Sequence, residues 1–152
     1  MAAAERWHKF AELPDNIRDT LTQLPPLLAR EGVLLAYLFG SLAENWPAND
    51  VDLALLTPEE RPPYRLREAI TECLGTERVD VVDLRRASPV LRFEVISRGQ
   101  LIYAAESDLR LEFELATIRE YQDTDYLRRQ QEQLLKERMA LWSSNARPSS
   151  SG

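Results

Sequence analysis

Two carboxylates stand two positions apart at the start of an apolar stretch: Asp50 and Asp52, in the segment DVDLALL. If this stretch is a β-strand, its side chains alternate between faces, so both carboxylates lie on one face and Val51 and Leu53 on the other. Neighbouring carboxylates repel each other, and burial adds a desolvation cost, so a cation would stabilise the pair. Mg²⁺ prefers such hard oxygen ligands, usually together with substrate phosphates. The spacing therefore predicts a magnesium site.

A glycine and a serine precede this pair along the chain. Gly40 and Ser41 follow the apolar segment 33–39, which has the pattern of a strand covered on both faces. A glycine lets the backbone approach a ligand closely, and free N–H groups and the Ser41 hydroxyl can donate to phosphate oxygens. We expect Gly40 and Ser41 to bind nucleotide phosphates beside the metal.

A third predicted strand, RVDVVDL at 78–84, carries two further acids, Asp80 and Asp83. Their positions differ by an odd number, so in a regular strand they point to opposite faces. Only one of them can join Asp50 and Asp52. The alternation alone leaves the choice open.

Gly40-Ser41 followed by Asp50-Val51-Asp52 in an apolar strand resembles the signature of the nucleotidyltransferase superfamily that shares the polymerase-β palm. With RVDVVDL, SPVLRFEVISRGQLIYA and a long charged C-terminal helix, the chain more narrowly resembles the minimal nucleotidyltransferases of the MntA antitoxin type. The resemblance selects Asp80 as the third acid and implies that Asp50, Asp52 and Asp80 are catalytic and metal-binding, with two Mg²⁺ ions and ATP. It also implies transfer of AMP to a tyrosine of a HEPN-domain ribonuclease toxin, which neutralises that toxin.

Two other readings stay open. The eight residues between Ser41 and Asp50 form a shorter connection than is usual in the family, which favours an antitoxin that acts by binding alone. Alternatively, the enzyme would transfer the nucleotide to a small molecule or an RNA. The net charge of −6 disfavours direct binding of nucleic acid, because such binding needs a basic surface.

The pattern of the chain predicts alternating strands and helices, and the resemblance implies their arrangement: an α/β fold with a small mixed sheet flanked by helices, a polymerase-β-like palm, and a long C-terminal helix. Residues 1–142 suit a single nucleotidyltransferase domain, and the small polar residues of 143–152 suggest a disordered tail. Helices are expected from Pro14, around 66–74 and from Ser88, the last with Gly99 as its C′ residue. A fourth strand is expected at 100–104.

The C-terminal helix, expected from Ser107, has apolar positions at Leu111, Leu115, Ile118 and Tyr121 that predict packing on the sheet. Its distal part, 126–142, carries further apolar residues among charges. Either the whole apolar stripe of the helix packs on the sheet and its charged face is solvated, or the distal part docks a partner.

The cysteine and histidine content and the absence of targeting patterns indicate the compartment in which the protein works. Cys73 is the only cysteine, so an internal disulfide is impossible and a reducing compartment fits; we expect it in the core. A lone His8 makes a poor metal site. No stretch has the pattern of a signal peptide or a membrane span, so we expect a cytoplasmic protein that avoids membranes. The sequence leaves homo-oligomerisation open.

Overall fold

The computed structural model describes residues 13–45 and 48–146. It contains four strands, β1 (Leu35–Phe39), β2 (Val51–Leu56), β3 (Val79–Asp83) and β4 (Gln100–Ala104). The helices are α1 (Ile17–Leu21), α2 (Leu24–Arg30), α3 (Arg67–Leu74), α4 (Pro89–Arg98) and α5 (Ser107–Ala146), with a short 3₁₀ helix at Pro63–Leu66.

The four strands form one mixed sheet in the order β3-β2-β1-β4. Strand β1 is antiparallel to both β2 and β4, whereas β2 and β3 are parallel. The mixed sheet flanked by helices and the long C-terminal helix confirm the predicted fold class. The parallel pair matters for function, because it places the starts of β2 and β3, and thus their acids, at the same end of the sheet.

Each face of the sheet is covered by a different set of helices. Alternate residues of β1 and β2, among them Leu38, Val51 and Leu53, pack with α1, α2 and α3. The opposite face, with Tyr37 and Ala54, packs with α4 and α5. Burial on both sides explains why β1 is apolar throughout. Cys73 is partly buried and packs against the first cluster, as predicted.

Helix α4 begins as its sequence predicts, because the Ser88 hydroxyl accepts a hydrogen bond from the Leu91 N–H at 3.2 Å. Its end differs from the expected left-handed C′ glycine. Gly99 has an extended backbone with φ −77°. A Cβ at Gly99 would collide with the Val95 carbonyl oxygen and lie 2.9 Å from that of Leu38. Glycine is required here because the end of α4 lies directly against β1.

Helix α5 begins at Ser107, as predicted, but runs without interruption to Ala146, so that the first four residues of the predicted disordered tail, 143–146, are helical. Its packed face was predicted wrongly at three of four positions, whereas Tyr121 is partly buried and its ring stacks on that of Phe93 in α4. Leu111, Leu115 and Ile118 are 58%, 44% and 37% exposed. The sheet side is formed instead by Leu109, Phe113 and Thr117. Residues 1–12, with His8, and 147–152 lie outside the described residues.

The rotation of α5 is set by polar bonds as well as by apolar contacts. The buried Tyr37 hydroxyl donates to Glu114 at 2.8 Å, and Arg92 of α4 donates to Glu120 at 3.1 Å. Two apolar stripes on one helix satisfy the same periodicity. The bonds to Glu114 and Glu120 help to decide which of them meets the sheet.

Candidate active site

The acids of β2 and β3 meet because the two strands are parallel and in register. Asp52 lies directly opposite Asp80 on one side and opposite Phe39 of β1 on the other. Val51 is fully buried among α1–α3, so alternation turns Asp50 and Asp52 toward the other face. The structure thus places Asp80 beside Asp52, on the same face.

Asp83 lies elsewhere. It stands opposite Leu55, whose side chain packs on the α1–α3 face, and its carboxylate accepts a hydrogen bond from the Arg85 N–H at 2.9 Å. Its other oxygen is 4.0 Å from the Arg86 guanidinium. Asp83 is thus held by its own chain neighbours, and it belongs to a different end and face of the sheet.

The charged form of Asp52 is disfavoured in this position. Partial burial raises the pKa of its carboxyl above the ordinary value, and the negative charges of Asp80 and Asp50 raise it further. The causes are desolvation and like-charge repulsion, the two costs expected from the sequence. A bound cation would relieve both.

The backbone of Gly40 lies directly against the Asp52 carboxylate. Its backbone has φ +77°, and a Cβ on it would collide with Oδ2 of Asp52. Any other residue would therefore displace the Asp52 side chain, in addition to straining its own backbone. The glycine after β1 keeps the carboxylate accessible.

Asp50 has a protein cation as its partner. Its Oδ1 lies 3.0 Å from Nε of Arg78, the residue just before β3, and the same Nε is 3.4 Å from the Asn49 carbonyl oxygen. Among residues 13–45 and 48–146, no three His, Cys, Asp or Glu side chains are already gathered as metal ligands. Arg78 was missed from sequence. Its only signal was its place just before the strand of the third acid.

The donor set nevertheless suits Mg²⁺. The site offers only carboxylate oxygens, from Asp50, Asp52 and Asp80, and these are the hard ligands that Mg²⁺ prefers. The carboxylates repel one another, and a divalent cation between them would reduce that repulsion. Arg78 holds only Asp50, and through an exposed ion pair of the kind that contributes little free energy. The residues present therefore fit a magnesium ion once Asp50 exchanges Arg78 for the metal.

The turn that follows Gly40 contains backbone N–H groups that are free of other described residues. Within it the Ala43 N–H donates to the Gly40 carbonyl at 3.2 Å, and the Asn45 N–H to the Leu42 carbonyl at 3.3 Å. The N–H groups of Ser41, Leu42 and Glu44 make no hydrogen bond to another described residue. Gly40 and Ser41 are both exposed, next to Asp52. The turn can thus present several N–H groups to an anion.

No helix in the described part of the chain is both long and apolar enough to cross a membrane.

A mixed sheet with a Gly-Ser turn after its first strand and acids on the next two defines a palm-type nucleotidyltransferase. The family model described as "Polymerase beta, Nucleotidyltransferase" matches residues 22–108, more than half of the chain, and the chain belongs to this family. A curated relative, the protein adenylyltransferase MntA of Shewanella oneidensis, is 34% identical over 93 residues. The matched region spans 58% of this chain and 66% of that protein, slightly under two thirds.

Two solved structures show the same fold. One contains a tri-AMPylated HEPN toxin of Shewanella oneidensis in complex with an MNT antitoxin; its matching chain has 27% identity and a TM-score of 0.57, over 81% of this chain and 98% of that one. The other is a toxin–antitoxin structure with AMP-PNP, with 27% identity and a TM-score of 0.59 over 80% and 98%. The chain is therefore similar to antitoxins of the MntA type.

Proposed function

We propose that this protein is a Mg²⁺-dependent nucleotidyltransferase antitoxin, which transfers AMP from ATP to a tyrosine hydroxyl of a cognate HEPN-domain ribonuclease toxin in the cytoplasm. The observation that carries this proposal is the register of Asp52 with Asp80, beside a glycine that keeps the Asp52 carboxylate open. Membership of the family supports the reaction class. The adenylyltransferase relative and the AMPylated toxin in a related complex support the nucleotide and the kind of acceptor.

In this proposal Asp50, Asp52 and Asp80 hold two Mg²⁺ ions, which when bound stabilise the attacking and leaving oxygens of the transfer. The tyrosine oxygen bonds to the α-phosphorus of ATP, the bond to pyrophosphate breaks, and Asp80 accepts the hydroxyl proton. Gly40 and Ser41 donate to the outer phosphates from the turn after β1. Those donors are fixed before the substrate arrives, so they stabilise charge without reorganising.

The distal part of α5, residues 126–142, is proposed as the docking segment for the toxin. Every described side chain from 126 to 144 is exposed. The exposed large hydrophobic side chains there are Tyr126, Leu127, Leu134, Leu135, Met139, Leu141 and Trp142. An apolar helix surface beyond the domain core gains free energy when a partner covers it.

One observation favours a second function, neutralisation by binding without catalysis. Asp50 is paired with Arg78 rather than gathered with Asp52 and Asp80. If Arg78 kept Asp50 from the metal in the working protein, the antitoxin would depend on its docking segment alone. The following experiment separates the two functions.

The deciding measurement is the intact mass of the HEPN-domain protein encoded beside this one, after incubation with this protein, Mg²⁺ and each nucleoside triphosphate in turn. We expect an increase by whole AMP units with ATP, lost on chelation of the metal or with Asp52→Asn. The matched control is Asp83→Asn, which changes the acid on the opposite face and should preserve transfer.

The negative outcomes are also informative. A tight complex without any increase in mass would support the binding-only antitoxin. Absence of both complex and transfer, with pyrophosphate still released in the presence of another acceptor, would show that the acceptor is not the toxin.

A further inference from the structure

Two side chains from distant parts of the sequence hold the turn after β1. The Arg18 guanidinium, on α1, donates to the Leu42 carbonyl oxygen at 3.0 Å. The Gln100 side-chain amide, at the start of β4, donates to the Ala43 carbonyl oxygen at 2.8 Å. The bonds span 24 and 57 positions of sequence, so both are tertiary contacts.

Both donors reach the turn from the face of the sheet opposite the acids. Gln100 stands opposite Leu38, whose side chain packs on the α1–α3 face. Arg18 and Gln100 line the same cavity of about 270 Å³, together with Leu38 and Ile102. The carbonyl oxygens that they bind are therefore directed toward the α1–α3 face of the sheet, which is opposite to the face that carries Asp52.

Because the peptide group is planar, a hydrogen bond that fixes a carbonyl also fixes the direction of the N–H in the same peptide group. In a trans peptide the C=O and the following N–H point in opposite directions. Fixing the Ala43 carbonyl therefore directs the Glu44 N–H toward the face that carries Asp52. This N–H makes no hydrogen bond to another described residue. Fixing the Leu42 carbonyl likewise orients the Ala43 N–H, which closes the turn onto Gly40 at 3.2 Å.

The anchors of both side chains are firm. Arg18 lies between the buried Ile17 and Leu21 of α1. Gln100 begins β4 directly after Gly99, where a Cβ would collide with the carbonyl oxygen of Val95. The side chains are attached to packed elements, so the turn is held from the body of the domain.

We infer that Arg18 and Gln100 are positioning residues for the nucleotide: they hold the closed turn at residues 41–45 so that the Glu44 N–H is directed at a phosphate. This inference rests on the proposed function, because the turn is useful only if a triphosphate binds there. Neither residue touches the substrate in this scheme. Both act through the backbone of the turn.

The test uses Gln100→Met, which keeps the size and removes the donor, and Arg18→Ala. We expect each to weaken AMP-PNP binding in the presence of Mg²⁺ about three- to tenfold by calorimetry, the effect of one net hydrogen bond. The KM for ATP should rise by the same factor with little change in kcat. Hydrogen exchange in the protein alone should accelerate at residues 41–45. Arg18→Lys, which keeps a donor, should recover most of the affinity.

Arg61→Ala is the matched control, because its guanidinium donates to the Glu31 carbonyl at 3.2 Å, at the other end of β1. If the two variants bind AMP-PNP as tightly as Arg61→Ala does while transfer proceeds, the inference is wrong and the proposed function stands. Accelerated exchange throughout the protein, rather than in the turn, would show a general role in stability and also overturn it. If the wild-type protein binds no nucleotide, both proposals fail.

Discussion

At the scale of single residues, the candidate site is built around one carboxylate held in an unfavourable setting. Asp52 is partly buried, has Asp80 and Asp50 as neighbours, and lies against the Gly40 backbone. A fold selected for stability alone would place an apolar or neutral residue there, because each of these features opposes the charged form. In the proposed function, a cation bound at this site would offset the free energy that the charged Asp52 costs the fold.

This setting makes the stability of the protein depend on pH. The pKa of Asp52 is raised in the folded protein above the 3.8 of a free aspartate, so the folded state binds a proton more readily than the unfolded chain. Stability contributed by this group therefore falls as pH rises from 3.8 through the raised pKa, and the charged form opposes folding above it. We expect Asp52→Asn to raise the Tm at neutral pH while abolishing transfer.

Magnesium should offset the destabilising negative charge of Asp52. Added Mg²⁺ is expected to raise the Tm of the wild-type protein by mass action and to have little effect on Asp52→Asn. Thermal unfolding across a series of pH values, with and without Mg²⁺, checks both statements. An Asp52→Asn variant less stable than the wild type at neutral pH would contradict this account of the site.

Gly40 offers a second test at this scale. Gly40→Ala should cost about 1–3 kcal/mol of stability and remove most of the transfer activity, because the new Cβ collides with the Asp52 carboxylate and the backbone stays left-handed. Gly75→Ala is the control, since Gly75 has φ +70° but a Cβ there meets nothing within 4 Å. Denaturant titration and transfer assays of both variants isolate the contact with Asp52. Equal losses of activity would show that backbone strain alone matters.

At the scale of elements, the site depends on strand pairing, and the pairing depends on what covers the sheet. The face with Asp52 and Asp80 is the face on which α4 and α5 pack. Tyr37, in the middle of β1, donates from its buried hydroxyl to Glu114 of α5, and Glu114 also accepts from Arg110 at 3.1 Å. Burial and the Glu114 carboxylate raise the pKa of the Tyr37 hydroxyl, so it stays a donor.

Tyr37→Phe should therefore loosen α5 without disturbing the sheet. We expect a loss of about 1 kcal/mol, the net value of one hydrogen bond, because Glu114 keeps Arg110 as a partner. Hydrogen exchange should increase at residues 107–121 and stay unchanged in β2 and β3. Tyr64→Phe, at a side chain 70% exposed, is the matched control and should leave both quantities as they are. If hydrogen exchange in α5 were unaltered, Tyr37 would have no role in holding α5 against the sheet.

At the scale of the whole molecule, catalysis and docking are assigned to different parts of the chain. The acids and the Gly-Ser turn sit at one end of a four-stranded sheet, whereas α5 continues through Ala146 with all described side chains from 126 to 144 exposed. This separation means that the two proposed activities can be removed independently. A change in the distal helix should leave the nucleotide site intact.

The double substitution Leu134→Glu with Leu135→Glu tests this independence. We expect the affinity for the HEPN toxin to fall about 100-fold or more, as when central apolar contacts of an interface are replaced by charges. Binding of AMP-PNP should not change. Leu111→Glu is the control, because Leu111 is as exposed as Leu135, both at 58%, but lies in the first turns of α5. If Leu111→Glu instead lowers the affinity for the toxin, the docking surface lies on the stripe that contains Leu111.

The sequence by itself determined the parts of this protein that follow from local alternation and capping. Asp50 and Asp52 share a face because a strand alternates, Gly40 and Ser41 follow β1 because the apolar run ends there, and Ser88 caps α4. The order of apolar runs and turns also predicted the four strands, whereas their arrangement in a mixed sheet was implied by the family resemblance. These are properties of a few consecutive residues, which the chain carries wherever it folds.

Only the tertiary structure decided which distant residues meet. Sequence alternation left Asp80 and Asp83 open, and the parallel register of β2 with β3 placed Asp80 beside Asp52. The grip of Arg18 and Gln100 on the turn depends on contacts across 24 and 57 positions. The face of α5 that packs was also decided this way, since two stripes have the same period. Register, rotation and long-range contact arise from packing whole elements together, and no local pattern encodes them.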